Sequence, residues 1–130
     1  MVRQLTRRRI LEIHETVVKE SGGETGVLSE GSLDAALAVT NLSLFGQMVH
    51  RSLVDKAAAL FHELCKLHPF VDANKRTAYT AADVFLNLNG RELKANQTEA
   101  VRISLRTARC DADQREVRDW VLENSRRTTF

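Results

Sequence analysis

The sequence predicts an all-α protein, a bundle of about six helices with two buried ones at its centre, and three observations carry that prediction. Apolar residues recur at helical spacing along most of the chain. The 130 residues include one proline and six glycines, which leaves little punctuation for turns. Serine, asparagine or aspartate precedes most of the periodic runs, where a helix start needs a side-chain acceptor. The length suits a single domain over residues 1–130, able to bury a core without disulfides or a structural metal.

The first helix begins near Thr6, with Leu5, Ile10, Leu11, Ile13, Val17 and Val18 on one side, and Ser21-Gly22-Gly23 ends it. Ser29 or Ser32 caps a brief second helix through Leu33, Ala36 and Leu37. Asn41 to Arg51 shows neither clean period and reads as a partly ordered connection, a candidate mobile flap. From Ser52 to Leu67 the apolar positions cover more than half the helix circumference, as a helix packed on several sides requires. A second central helix runs from about Asn74 to Asn89, its alanines permitting close approach, and Gly90 stands where a left-handed terminator belongs. Arg91 to Lys94 is short and extended. Asn96 or Thr98 opens a helix to about Arg109, and Asp113 with Glu116 resembles a capping box for a last helix with Val117, Trp120 and Val121 on its apolar side.

Composition narrows the function. The 19 basic and 17 acidic residues leave a net charge of +2, far from the concentrated basic field of a non-specific nucleic-acid binder, so nucleic acid is not an expected partner. Two cysteines make no disulfide framework, and Cys65, inside an apolar helical run, reads as a buried reduced thiol that suits the cytoplasm. No apolar stretch near the start has signal-peptide length, and eighteen apolar residues never run together, which argues against export and membrane spanning.

The reactive residue types concentrate between the two central helices, in His68-Pro69-Phe70-Val71-Asp72-Ala73-Asn74-Lys75-Arg76-Thr77. Pro69 cannot continue the first helix, and Phe70 and Val71 can pin the resulting turn onto the core. The amides of Ala73, Asn74 and Lys75 at the start of the second helix would point outward with the positive end of the helix dipole behind them, a natural phosphate site. Lys75 adds a point charge, Arg76 a forked donor and Asn74 an amide donor, while Asp72 could hold magnesium or orient a hydroxyl. His68 supplies a base that titrates near neutrality. Taken singly, Asp72 could be a helix cap, Lys75 and Arg76 solvated, and His68 a helix-end residue. Their coincidence in nine residues is what points to phosphate-group transfer.

The string from His68 to Arg76 resembles the signature of the Fic/Doc superfamily, in which His, Phe, an acid, Asn and Arg recur at this spacing. The Ala-Asn-Lys-Arg-Thr-Ala run, Phe85, Asn89-Gly90, Ser21-Gly22-Gly23 and Glu30-Gly31 are similar to the death-on-curing (Doc) toxins over nearly the whole chain. The resemblance implies a Fic fold and a toxin of a type II toxin–antitoxin system. Such a toxin is an ATP-dependent, magnesium-using protein kinase that modifies a threonine of elongation factor Tu and stops translation. It also implies an antitoxin whose disordered tail folds into a groove beside the active site. Carried over, His68 is the general base, Asp72 assists the metal or nucleotide, Ala73, Asn74 and Lys75 hold phosphates, and Arg76 steadies the loop or the transferred group. Lys66 is expected to touch the nucleotide, although the Doc pattern has arginine there, and Thr80 replaces an asparagine. Those two departures keep open a catalytically silent phosphate-binding relative. Fic enzymes that transfer AMP usually have glycine at the position of Lys75 and a second arginine at that of Tyr79. A lysine crowds the diphosphate path such a glycine leaves open and attracts the terminal phosphate, so phosphoryl transfer is preferred over AMP transfer.

Other signals carry less. His62-Glu63-Leu64-Cys65-Lys66 falls short of the zinc-protease helix because Lys66 stands where the second histidine must be. Cys65 and His68 lie one turn apart without further ligands. His14 and His50 have no evident partners and read as structural or solvated. Arg102, Arg106 and Arg109, like Arg7, Arg8 and Arg9, read as solvated faces.

Overall fold

A computed structural model describes residues 1–128 and contains six α-helices: α1 (Arg7–Ser21), α2 (Glu30–Ala38), α3 (Leu53–Leu67), α4 (Asn74–Leu88), α5 (Gln97–Ala108) and α6 (Gln114–Asn124). Most starts are set by the side chain that takes the first free amides. Thr6 accepts from Arg9 at 3.1 Å, Ser29 from Ser32 at 3.1 Å, and Asn96 from both Thr98 and Glu99. Of the paired alternatives, then, Ser29 and Asn96 are the caps. Ser52 and Asp55 form a complete capping box on α3. On α6 only half of the box forms: Asp113 accepts from the Glu116 amide at 2.9 Å, but the Glu116 carboxylate pairs with the Arg106 guanidinium of α5.

The helical architecture stands, with two short antiparallel ribbons added to it. The segment expected to be a partly ordered connection, Asn41 to Arg51, follows a single-turn 3-10 helix at Val39–Asn41 and holds a hairpin of β1 (Ser43–Leu44) and β2 (Gln47–Met48). Its tip residues Phe45 and Gly46 have φ of 52° and 77°, the two positive values of a type I′ turn. The usual Asn-Gly signal is half missing, because Phe45 occupies the first left-handed position. The extended Arg91–Leu93 becomes β3 by pairing with β4 (Ser125–Arg127), in the register Arg91↔Arg127 to Leu93↔Ser125.

One core draws apolar side chains from all six helices, and α3 lies at its centre against α2, α4, α5 and α6. Ala57 and Ala58 on α3 and Ala78, Ala81 and Ala82 on α4 are completely buried, so the two central helices approach closely, while Phe61, Leu64, Phe85 and Leu86 fill the space around them. Lys56 is the exception on α3. Only 2% exposed, it donates from Nζ to the Thr40 carbonyl at 2.7 Å and so ties the base of the hairpin to the central helix. Burial lowers its pKa. Among the described residues no helix is long and apolar enough to cross a membrane.

The two cysteines differ in chemistry. Cys65 is buried and its thiol is pushed up to about 12 by burial, against a weaker opposite pull from Lys75, whereas Cys110 is exposed. A thiol-reactive disulfide reagent at about pH 8 is therefore expected to label one thiol in the folded protein and two after denaturation. Two rapid equivalents from the folded chain would contradict the burial of Cys65.

Candidate phosphate-binding site

The loop between α3 and α4 is held from three sides. His68 ends α3 in the left-handed conformation at φ 48° and is exposed at the rim. Beyond it the α1–α2 connection clamps the chain: the amides of Leu28 and Ser29 donate to the Pro69 carbonyl at 2.8 and 3.1 Å, and the Val71 amide donates to the Gly26 carbonyl at 3.0 Å. Val27 and Phe70 face each other in an antiparallel bridge. Phe70, 1% exposed, drives its ring into the core and stacks on His14 of α1, with centroids 3.9 Å apart and planes 8° from parallel.

The turn into α4 is built by two side chains that the sequence reading assigned to ligand binding. The Asn74 carboxamide accepts from the Phe70 amide at 2.9 Å and donates to the Phe70 carbonyl at 3.0 Å, so it braces the loop and keeps one N–H of its amide group uncommitted. Asp72 accepts from the Ala73 amide through Oδ1 at 2.9 Å and from the Glu24 amide through Oδ2 at 3.4 Å. Ala73 therefore has no amide to offer a ligand, and it enters α4 as a left-handed residue at φ 61° with no side-chain cap on the helix. Among the described residues nothing accepts from the amides of Asn74, Lys75 and Arg76, which shifts the free set one position along the chain from the expected Ala73, Asn74 and Lys75. Left-handed and right-handed residues in succession form the concave amide nest that binds anions, here at a helix N-terminus.

A cleft of about 660 Å³ opens over these amides. Val71 to Arg76 form its floor, Ser21 and Gly22 one edge, and Tyr79 with Ala100, Val101, Ser104 and Leu105 of α5 the opposite wall. Tyr79 also fixes the chain leading into α5, since its hydroxyl donates to the Leu93 carbonyl and accepts from the Ala95 amide. Lys75 and Arg76 give the floor an excess of positive charge over Asp72. The structure thus brings Asp72, Ala73, Asn74, Lys75 and Arg76 together on one surface. His68 and Lys66 are exposed but lie outside the lining of the cleft.

His14 is the residue that sequence reasoning missed. It is 2% exposed, and its Nε2 lies 2.8 Å from the Asp72 carbonyl, so of the two readings, structural or solvated, the structural one holds, with a partner the sequence did not reveal. The only local signal is its place among Ile10, Ile13, Val17 and Val18 on the buried face of α1, where an unpaired imidazole would be costly.

Among the described residues no group of three or more His, Cys, Asp or Glu side chains comes together around a metal position. Magnesium, which keeps several waters and needs one or two protein carboxylates when a nucleotide supplies phosphate oxygens, fits Asp72 at the cleft floor as its single protein ligand.

Gly23 sets how closely the clamp can approach. At φ +110° it tolerates no side chain, and an added Cβ would stand 2.7 Å from Asp72 Oδ2. Gly23→Ala is expected to cost about 1–3 kcal/mol in urea unfolding and to displace the Asp72 carboxylate. An unchanged midpoint and slope would refute that coupling.

The sequence profile of the Fic/DOC family matches residues 4–86, which include α1 to most of α4 and all of the loop, while the α5 wall lies beyond the match. A protein of Mycolicibacterium smegmatis named Toxin Doc is 42% identical over 96 residues, 71% of this chain and 74% of that one. With more than half its length inside the profile and a relative at that identity, the chain belongs to the Fic/DOC family.

Proposed function

We propose that this chain is the Doc-type toxin of a toxin–antitoxin pair and transfers the terminal phosphoryl group of ATP to a serine or threonine hydroxyl of a translation factor, elongation factor Tu, in the cytoplasm. The observation that carries the reading is the braced loop whose three free amides, those of Asn74, Lys75 and Arg76, open with the Lys75 ammonium onto a cleft of about 660 Å³. Those donors would receive nucleotide phosphates, with Arg76 countering the charge that builds on the equatorial oxygens. His68, exposed at the end of α3, would take the proton of an acceptor hydroxyl arriving from outside. The hydroxyl oxygen then bonds to the γ-phosphorus as the bond to the ADP oxygen breaks, and ADP leaves. Asp72 is the residue suited to hold magnesium, which supplies charge neutralisation for the phosphates when bound. The similarity to a protein named Toxin Doc supports both the toxin role and an antitoxin partner. Half-exposed Val101 and Leu105 on the α5 wall offer apolar surface beside the loop for that partner's tail.

Incubation with elongation factor Tu and either γ- or α-labelled ATP tests the reaction. Label from the γ position alone is the expected result. Label from the α position would instead identify AMP transfer, and no label from either would favour the catalytically silent relative, for which the Lys66 and Thr80 departures argue.

A further inference from the structure

We propose that His14 is a positioning residue for the phosphate-binding loop: by donating to the Asp72 carbonyl it holds the Asp72–Ala73 peptide in the orientation that points the α4 amides into the cleft. The inference deepens the phosphate-binding reading of that loop and rests on it for its consequence, though not for its geometry. A carbonyl oxygen only accepts, so the 2.8 Å contact requires the proton on His14 Nε2. The imidazole cannot turn away easily, because it lies face to face with the Phe70 ring and is 2% exposed on the packed side of α1.

The peptide that His14 holds is the one on which the site depends. Its oxygen goes to His14 and its N–H to Asp72 Oδ1, so both ends of one peptide plane are fixed. That plane sets the φ of Ala73 at 61°, a conformation alanine resists. A peptide flip would return Ala73 to negative φ, lose both hydrogen bonds and swing the Asp72 carbonyl oxygen toward the side where Asn74, Lys75 and Arg76 present their amides. An oxygen there repels an anion. The strained conformer therefore needs a donor on the opposite side, and the α1 histidine, 58 residues away in sequence, is that donor.

Three variants of the full chain separate the hydrogen bond from mere packing. His14→Phe keeps the ring stack and removes the donor, His14→Gln keeps a donor near the Nε2 position and removes the ring, and His14→Ala removes both. Amide hydrogen exchange at the hydrogen-bonded amides of Phe70, Val71 and Ala73, ADP affinity by titration, and the split between KM for ATP and kcat are measured for each. His14→Phe is expected to leave global unfolding close to the parent, to speed exchange selectively at the Phe70, Val71 and Ala73 amides, and to weaken ADP binding and raise KM about tenfold, the factor one lost hydrogen bond carries. His14→Gln is expected to recover most of both effects. Unchanged exchange and ADP affinity in His14→Phe, or a His14→Gln no better than His14→Phe, overturns the proposal. Should the parent bind no ADP and label no protein, the phosphate-transfer reading falls, while the exchange pattern still decides whether His14 orients the loop.

Discussion

If the proposed reaction holds, His68→Ala is expected to lower phosphoryl transfer to the acceptor about 10²–10⁴-fold, the loss that removal of a general base carries, and to release a host from growth arrest. The change should leave the fold intact. His68 is an exposed helix-end residue, so no core contact is lost, and the cost is confined to alanine's poorer fit to the left-handed position at φ 48°, about 1 kcal/mol. The loop is braced instead by Phe70, Asn74 and the α1–α2 connection, none of which touches the imidazole through a recorded hydrogen bond. Initial rates with γ-labelled ATP, read beside thermal unfolding of the same sample, separate chemistry from folding. Transfer surviving within tenfold of the parent would assign proton abstraction elsewhere.

Phe70→Ala is expected to have the largest effect on stability, about 3–5 kcal/mol, from the loss of a buried aromatic side chain and the cavity it leaves. Measured against a total of about 5–15 kcal/mol for a domain, that is enough to lower the melting temperature by about 10 °C or more. The effect should also reach the site. Phe70 is the wedge that seats the turn against α1, and its removal takes the stacking partner from His14 while the backbone bonds to Asn74 remain. Phe70→Leu, which refills much of the volume, should recover over half of the stability. Denaturant unfolding with an unchanged slope measures both variants, and a cost below about 1 kcal/mol would mean that the ring is not a packing element.

What could be read without a structure was local. The periodic stripes of α1, α3 and α4, the cap at Asp113, the choice of Ser29 or Ser32 and of Asn96 or Thr98 as caps, and the string from His68 to Arg76 depend on neighbours within a turn or two, and sequence spacing reports such neighbours directly. The remainder depended on partners far along the chain. β3 finds β4 more than thirty residues later, and His14 finds the Asp72 carbonyl across 58 residues. Neither pairing leaves a mark on local periodicity. The bracing role of Asn74 went unread for a related reason: its carboxamide type suits a phosphate, and nothing in the local spacing shows that it also bonds both backbone groups of Phe70. Phe45 in the hairpin tip shows the converse, a turn closed by tertiary context with only its glycine written in the chain.

The clamp from α1 to α2 turns an apparent spacer into a ruler. Because Val27 meets Phe70 in a bridge and Gly26 and Leu28 bond to the residues on either side, side chains there alternate between facing inward and facing outward. Adding one residue between Gly23 and Gly26 should invert that alternation and unseat the loop, whereas one added at the exposed hairpin tip beside Phe45 should be absorbed. Parallel melting curves of the two insertions would show which connection keeps count.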